Sequence, residues 1–261
     1  MSAFSPRSAG SAPLVLCYHA ISPRWSAGLS VTPEAFERQV TNLVRDGWSA
    51  VTFAEAVRQP PSTKTMAITF DDAFASVKTY AQPVLSKLGV NATVFAPTDY
   101  VSRQAPLAWA GLDQWENGPD TDELTPMSWE DLAELASLGW EIGSHSRTHP
   151  RLTALGDDAL VRELEGSRDE CAARIGGPVT SIAYPYGDVD HRVAAHTEQA
   201  GYQAGAALEW PSARLSRYRY PRIGVYRQDT WPRFRLKIGR WSRSPFAARF
   251  IARRSANVHR S

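Results

Sequence analysis

Short apolar runs of β character alternate with amphipathic stretches of helical period along most of this chain, and that alternation is the tightest constraint on its fold. Residues 13–18 read as a strand. Thr32-Pro33 then caps a helix carrying Phe36, Val40, Leu43 and Val44, which Gly47 ends. Residues 49–52 and 66–70 read as strands; the helix after them sets Val77, Tyr80, Val84 and Leu88 on one side, and Gly89 leads into a strand over 90–96. Ser128 with Asp131 forms a capping box for a helix ending at Gly139, ahead of a strand at 140–142. Residues 157–175 read as a long helix, 179–183 as a strand, 191–199 as a helix, and 202–207 and 220–225 as strands. Seven or eight strands, each followed by a helix or long loop, predict one α/β domain built as a β/α barrel rather than two domains. A chain of 261 residues is long enough to fill such a core. Active residues of a barrel belong just after the C-terminal ends of its strands.

Cys17 and Cys171 are the only cysteines, which leaves neither a disulfide framework nor a four-cysteine zinc site. The early apolar run 14–18 is shorter than a secretory core or a membrane span, and Leu16 is too bulky for a lipoprotein cleavage box; the expectation is a cytoplasmic protein. Charge is divided unevenly. Residues 1–211 hold 15 basic and 26 acidic side chains, whereas residues 212–261 hold 14 basic and one acidic. In the second stretch Phe234, Ile238, Trp241, Phe246, Phe250 and Ile251 alternate with Arg and Lys. Two readings of that tail stand side by side: peripheral docking on an anionic membrane at the inner face, or aromatics packed on the barrel with solvated arginines. No recognition module accompanies the charge, so no nucleic-acid partner is expected. The domain expectation is a flexible N-terminus over 1–12, a barrel over 13–231 and a basic amphipathic tail over 232–261. Residues 97–127, with Trp109, Asp113 and Trp115, form a long connection without clear period. It reads either as a lid whose indoles stack on sugar rings or as a surface insertion over the barrel mouth.

Two chemical signals follow predicted strands. Thr69-Phe70-Asp71-Asp72 places adjacent carboxylates at a strand end, where a helix N-cap would need only one; one of a repelling pair can bind a cation while its neighbour stays free as a base. Gly143-Ser144-His145-Ser146-Arg147-Thr148-His149-Pro150 carries two imidazoles four residues apart. Such a pair is often a surface accident, but with Asp72 it makes an Asp, His, His set for a zinc-like ion with one open position.

With Ala183-Tyr184-Pro185-Tyr186-Gly187 as a third, weaker block, the sequence from about Leu14 to Val225 resembles the polysaccharide deacetylases of the NodB-homology group, carbohydrate esterase family 4. That resemblance implies a distorted (β/α)7-type barrel and a divalent transition metal, zinc first, with nickel, cobalt or iron as alternatives. It also implies Asp71 as catalytic base, Asp72, His145 and His149 as metal ligands, and Tyr186 with Pro185 at the substrate and oxyanion position. Two departures stand out. Ala183 occupies the place of an Arg that orients the base, and no late Leu-x-His block supplies the general acid. Tyr18-His19 after the first strand resembles the permuted poly-N-acetylglucosamine branch, making His19 the candidate acid; the alternative is a structural histidine bonded to a loop carbonyl. Arg222 could support Asp71 or sit on the surface. His191 and His196, on a helix, receive no role.

The implied reaction is metal-assisted removal of N-acetyl or a related N-acyl group from an amino sugar of a polysaccharide or glycan precursor. The alternatives are a deacylase or deformylase of a lipid-linked or nucleotide-linked sugar, a catalytically lapsed carbohydrate-binding barrel, and an adaptor localised through residues 232–254. No Gly-x-Ser-x-Gly elbow or phosphate-cradling glycine loop is present.

Overall fold

In the computed structural model, which describes residues 12–58, 64–208 and 216–242, the strands are short, parallel and almost wholly buried. In chain order the elements are β1 (Leu14–Tyr18), β2 (Ala20–Ile21), β3 (Ser30–Val31), α1 (Pro33–Arg45), β4 (Ser49–Val51), α2 (Phe53–Arg58) and β5 (Thr65–Phe70). Then come α3 (Gln82–Lys87), β6 (Thr93–Ala96), α4 (Thr98–Arg103), α5 (Trp129–Ser137), β7 (Glu141–Ser144), α6 (Asp157–Ile175) and β8 (Ser181–Ala183). The last are α7 (His191–Gln199), β9 (Ala204–Ala207), β10 (Tyr220–Pro221), β11 (Ile223–Gly224) and α8 (Trp231–Ser242). Residues of β1 and β5 are apolar in near-continuous runs because parallel strands walled by helices have no wet face.

Strand order is β10-β9-β8-β7-β6-β5-β1-β11, every ladder parallel. β10 and β11 are one extended segment broken only at Arg222. β10 pairs with β9 through Tyr220↔Ala206, β11 pairs with β1 through Leu16↔Ile223, and this segment closes the circuit. Seven strands therefore complete the (β/α)7-type barrel. An eighth, β4, wedges beside the first half of β5 at Ser49↔Thr65, while β6 takes the second half at Thr69↔Thr93.

The two-residue period of the strands separates two packings. Leu14, Leu16 and Tyr18 face the helices, with Phe36, Val40 and Phe70. Val15, Ala67, Phe95, Ala183, Ala204, Ala206 and Tyr220 form the inner cluster, with Phe53 of α2 at one end. Along those inward rows the next residues are Cys17 then His19, Thr69 then Asp71, Gly143 then His145, and Tyr220 then Arg222. The row that fills the barrel thus delivers functional groups to its mouth.

Three readings change. The helix after β5 buries Val77, Ala81 and Leu85, while Tyr80 is exposed. A π-type turn, with Gln82 N–H donating to Val77 O, winds the chain wider than 3.6 residues per turn and rotates the buried face. The 97–127 stretch is not structureless: it contains α4 and two 3-10 turns, Asp113–Trp115 and Thr121–Leu124. The boundary drawn at 231/232 cuts through α8, whose Phe234, Ile238 and Trp241 are buried in the main core. Arg38 of α1 covers Trp231, and Lys237 and Arg233 pair with buried Asp229. Residues 243–261 and 1–11, which carry the remaining tail and terminus expectations, lie outside the described residues. Among the described residues no helix is long and apolar enough to cross a membrane.

At Gly143 the inner packing leaves no room for a side chain, since a Cβ would lie 2.6 Å from the Phe95 ring and 2.8 Å from Ser181 Oγ. Gly143→Ala is expected to cost about 1–3 kcal/mol through overpacking. Gly177→Ala, where a Cβ meets nothing within 4 Å, should stay within about 0.5 kcal/mol. Urea unfolding of the two variants checks the contrast; equal midpoints would refute the packing assignment.

Candidate active site

Asp71 continues the inward row of β5, and its N–H donates to Tyr18 O as though the β1–β5 ladder ran one residue further. The chain then turns abruptly. Asp72 and Ala73 both take left-handed backbone conformations, with φ of 68° and 52°, which non-glycine residues adopt only when held. The hold comes from the end of the 97–127 connection: Met127 N–H donates to Ala73 O, and Ala75 N–H to Thr125 O. That reversal lets neighbouring carboxylates serve different partners.

The histidine loop is built the same way. His145 N–H donates to Ala96 O, while Ser146 and His149 sit at φ of 61° and 59°. Ser144 Oγ accepts from Ser146 N–H, and Ser146 Oγ from His149 N–H. Glu163 of α6 accepts from the backbone N–H groups of Arg147 and Thr148 and from the Thr148 hydroxyl, at 2.7, 3.0 and 2.7 Å. One carboxylate thus anchors the two residues midway between the histidines. Sequence reading missed Glu163, because a helix residue sixteen positions downstream carries no local signal of the loop it meets.

The loop brings both Nε2 atoms onto Asp72 Oδ1, at 3.3 Å from His145 and 3.4 Å from His149. Tetrahedral ligands at about 2.0–2.1 Å from an ion are about 3.3–3.4 Å apart, so each imidazole nitrogen stands at ligand spacing from the carboxylate oxygen, and one ligand atom from each of the three residues lies within 4.8 Å of the others. The donor set fits: one carboxylate oxygen, buried and without a hydrogen-bond partner, and two imidazoles. His145 Nδ1 lies 2.8 Å from Ala183 O, the carbonyl that fixes its ring. Burial lowers the His149 pKa to about 3, keeping it a neutral imidazole. For His145 burial acts in the same direction, but Asp71 and Asp72 outweigh it and raise the pKa.

Asp71 has a different partner. Arg222 donates Nη1–H to Oδ1 at 2.6 Å and Nη2–H to Oδ2 at 2.7 Å, and Nη1 also reaches Thr69 Oγ1 at 3.0 Å. Both side chains are buried. Burial alone would raise the Asp71 pKa, but the guanidinium and the nearby histidines hold it well below the usual carboxylate range. Ala183 cannot perform that task, and Arg222 reaches the same carboxylate from the closing strand. His19 is nearly buried after β1, one of its nitrogens within 4.8 Å of both an Asp71 oxygen and Cys17 Sγ. The Cys17 thiol donates to Asp71 Oδ2 at 3.4 Å, a contact latent in the alternation Cys17, His19 along β1. Tyr186, in the turn Pro185–Gly187 at φ 60°, sets its ring 4.8 Å from His149, under the Arg151 guanidinium. Buried Pro185 begins that turn. His191 and His196 are on α7, and His196 meets Asp157.

Residues 58–205 match the family model described as polysaccharide deacetylase. The chain belongs to that family. The matched span includes Asp71, Asp72, His145, His149, Pro185 and Tyr186; His19 and Arg222 fall outside it. Among curated proteins the chain is similar to YxkH of Bacillus subtilis (strain 168), assigned to the polysaccharide deacetylases, at 28% identity over 200 residues. The likeness takes in 75% of this chain and 64% of YxkH, so the chain spans about 64% of that relative's length. Among solved structures it is similar to Streptococcus pyogenes deacetylase PplD in complex with acetate, with a TM-score of 0.74 and 20% identity over 87% of this chain and 98% of PplD. IcaB from Ammonifex degensii gives a TM-score of 0.71 and 23% identity, covering 90% of this chain and 98% of IcaB. At these identities the likeness establishes the fold.

Because its folded-state pKa is depressed, Asp71 contributes stability that is present above its unfolded-state pKa of about 4 and lost as pH falls toward the folded-state value. Arg222→Gln leaves a buried carboxylate unpaired and is expected to cost about 3–5 kcal/mol at neutral pH. The cost should shrink under mildly acidic conditions, where the stranded Asp71 takes a proton. Urea unfolding at both pH values measures it; a penalty independent of pH would remove Asp71 as the cause.

Proposed function

We propose that this protein is a divalent-cation-dependent carbohydrate deacylase that removes N-acetyl or a related N-acyl group from amino sugars of a polysaccharide or glycan precursor. One observation carries the reading: Asp72 Oδ1 and two imidazole Nε2 atoms converge at ligand spacing, beside a second carboxylate held ionised by Arg222. Asp72, His145 and His149 would hold the ion, which supplies Lewis-acid polarisation of the acyl oxygen and acidifies a water when bound. Asp71 takes the proton from the attacking water.

Attack forms the C–O bond and a tetrahedral adduct. The backbone N–H at Tyr186 would face the resulting oxyanion, a placement taken from the family resemblance. His19 in its imidazolium form then gives a proton to the amine nitrogen as the C–N bond breaks, releasing the carboxylate and the free amino sugar; the proton taken by Asp71 returns to solvent, and His19 is reprotonated before the next turnover. Burial lowers the His19 pKa, against the opposing pull of Asp72 and Asp71. The lapsed-barrel alternative loses one of its two supports, since Arg222 compensates for Ala183. Membrane contact, and with it the inner-face location, now rests on residues 243–261, because the α8 aromatics are used in the core.

Asp71→Asn is expected to keep the cation and lose about 10²–10⁴-fold in turnover, whereas His145→Ala should lose both. Acetate and formate release from N-acylated sugars, with metal analysis of the same preparations, tests the pair; near-normal turnover by Asp71→Asn would refute the base. His19→Ala should slow amide substrates far more than an activated aryl acetate, whose leaving group needs no proton. Equal losses on the two would refute the acid role.

A further inference from the structure

Trp109, in the long connection between β6 and β7, lies flat against His149, with ring centroids 3.9 Å apart and planes 19° from parallel. His145 and His149 are secured by different means. His145 is fixed through Nδ1 by the Ala183 carbonyl, whereas His149 Nδ1 is buried and has no hydrogen-bond partner. A ligand imidazole ordinarily gives that nitrogen to an oriented acceptor. His149 is instead walled by rings: Trp109 on its face, with the edge-on rings of His145 at 4.9 Å and Tyr186 at 4.8 Å.

The indole itself is braced. Tyr100 meets it edge-on at 5.0 Å, and the Tyr100 hydroxyl donates to Ala108 O, immediately before it. Leu107 N–H donates to Leu124 O, Leu107, Leu112 and Leu124 are buried, and Ser22 ties to Glu123. This connection is a packed part of the barrel mouth, and one face of the Trp109 indole is spent on a histidine.

We propose that Trp109 is a positioning residue for His149, so that the β6–β7 connection and the cation site act as one unit. Stacking takes the place of the missing hydrogen bond and sets the plane in which Nε2 points at Asp72. Without the indole the ring can turn about its side-chain torsions and withdraw one of three ligand atoms. The inference rests on the cation reading above.

Zinc alone is the probe, its affinity measured by competition with a chelating dye for the full chain and three variants. Trp109→Leu fills space without an aromatic face and should bind zinc about 10- to 100-fold more weakly; Trp109→Phe restores a stacking face and should recover most of the loss. Trp115→Leu alters the same connection where it meets Trp25 rather than His149, and should stay near wild type. A Trp109→Leu affinity within threefold of wild type overturns the proposal, as does a Trp115→Leu variant equally weakened. Hydrogen exchange of residues 104–125 in the wild-type chain, with zinc and with chelator, decides the matter even if a variant fails to fold. Slower exchange with zinc supports the coupling, and identical exchange refutes it. A wild-type chain that binds no zinc sinks both readings, whereas normal wild-type binding with an unaffected Trp109→Leu sinks this one alone.

Discussion

Two adjacent carboxylates cannot both stay ionised in a buried pocket unless each has its own counter-charge, and the barrel mouth is arranged around that requirement. Asp71 is answered by Arg222, 151 residues away in sequence and carried by the segment that closes the barrel. Asp72 is answered by His145, whose pKa the two carboxylates raise, with the neutral His149 imidazole 3.4 Å from the same oxygen. Closing the barrel and neutralising Asp71 are therefore one event, since the same backbone pairs with β9 on one side and β1 on the other and delivers the guanidinium. A chain that failed to close would leave a buried charge bare.

Separating the two carboxylates requires backbone conformations that side chains resist. Of the seven non-glycine residues with positive φ among the described residues, Asp72, Ala73, Ser146, His149 and Tyr186 lie at or beside this mouth. Each costs of the order of 1–3 kcal/mol in isolation. Bonds from elsewhere hold them: Met127 to Ala73, Ser146 Oγ to His149, Glu163 to the loop between the histidines. The site is thus supported by α6 and by the β6–β7 connection as much as by the strands that bear its functional groups.

Much of this was legible from residues alone. Asp157–Ile175 and His191–Gln199 match the periodicity reading residue for residue, because a clear helical period and a glycine stop bracket each. Thr69 to Asp72 and His145 to His149 read as chemistry at strand ends, and their convergence on Asp72 Oδ1 follows from the parallel strands β5 and β7, one on each side of β6, ending at the same mouth. The helix after β5 was misread because a widened turn shifts the buried face to Val77, Ala81 and Leu85 without altering composition. The aromatics of α8 resisted the choice between core and membrane, since amphipathicity says that a face is covered and not by what.

The sequence by itself determined which groups stand at the mouth, because a two-residue period fixes which side of a strand each side chain takes. His19, Asp71, His145 and Arg222 share the inward row with Val15, Ala67 and Phe95. Only the tertiary structure decided what each group meets. Arg222 on Asp71, Trp109 on His149 and Glu163 beneath the histidine loop join segments brought together by barrel closure and helix packing. Local pattern cannot encode such contacts: they depend on where the ring of strands shuts and how far each connection reaches across it.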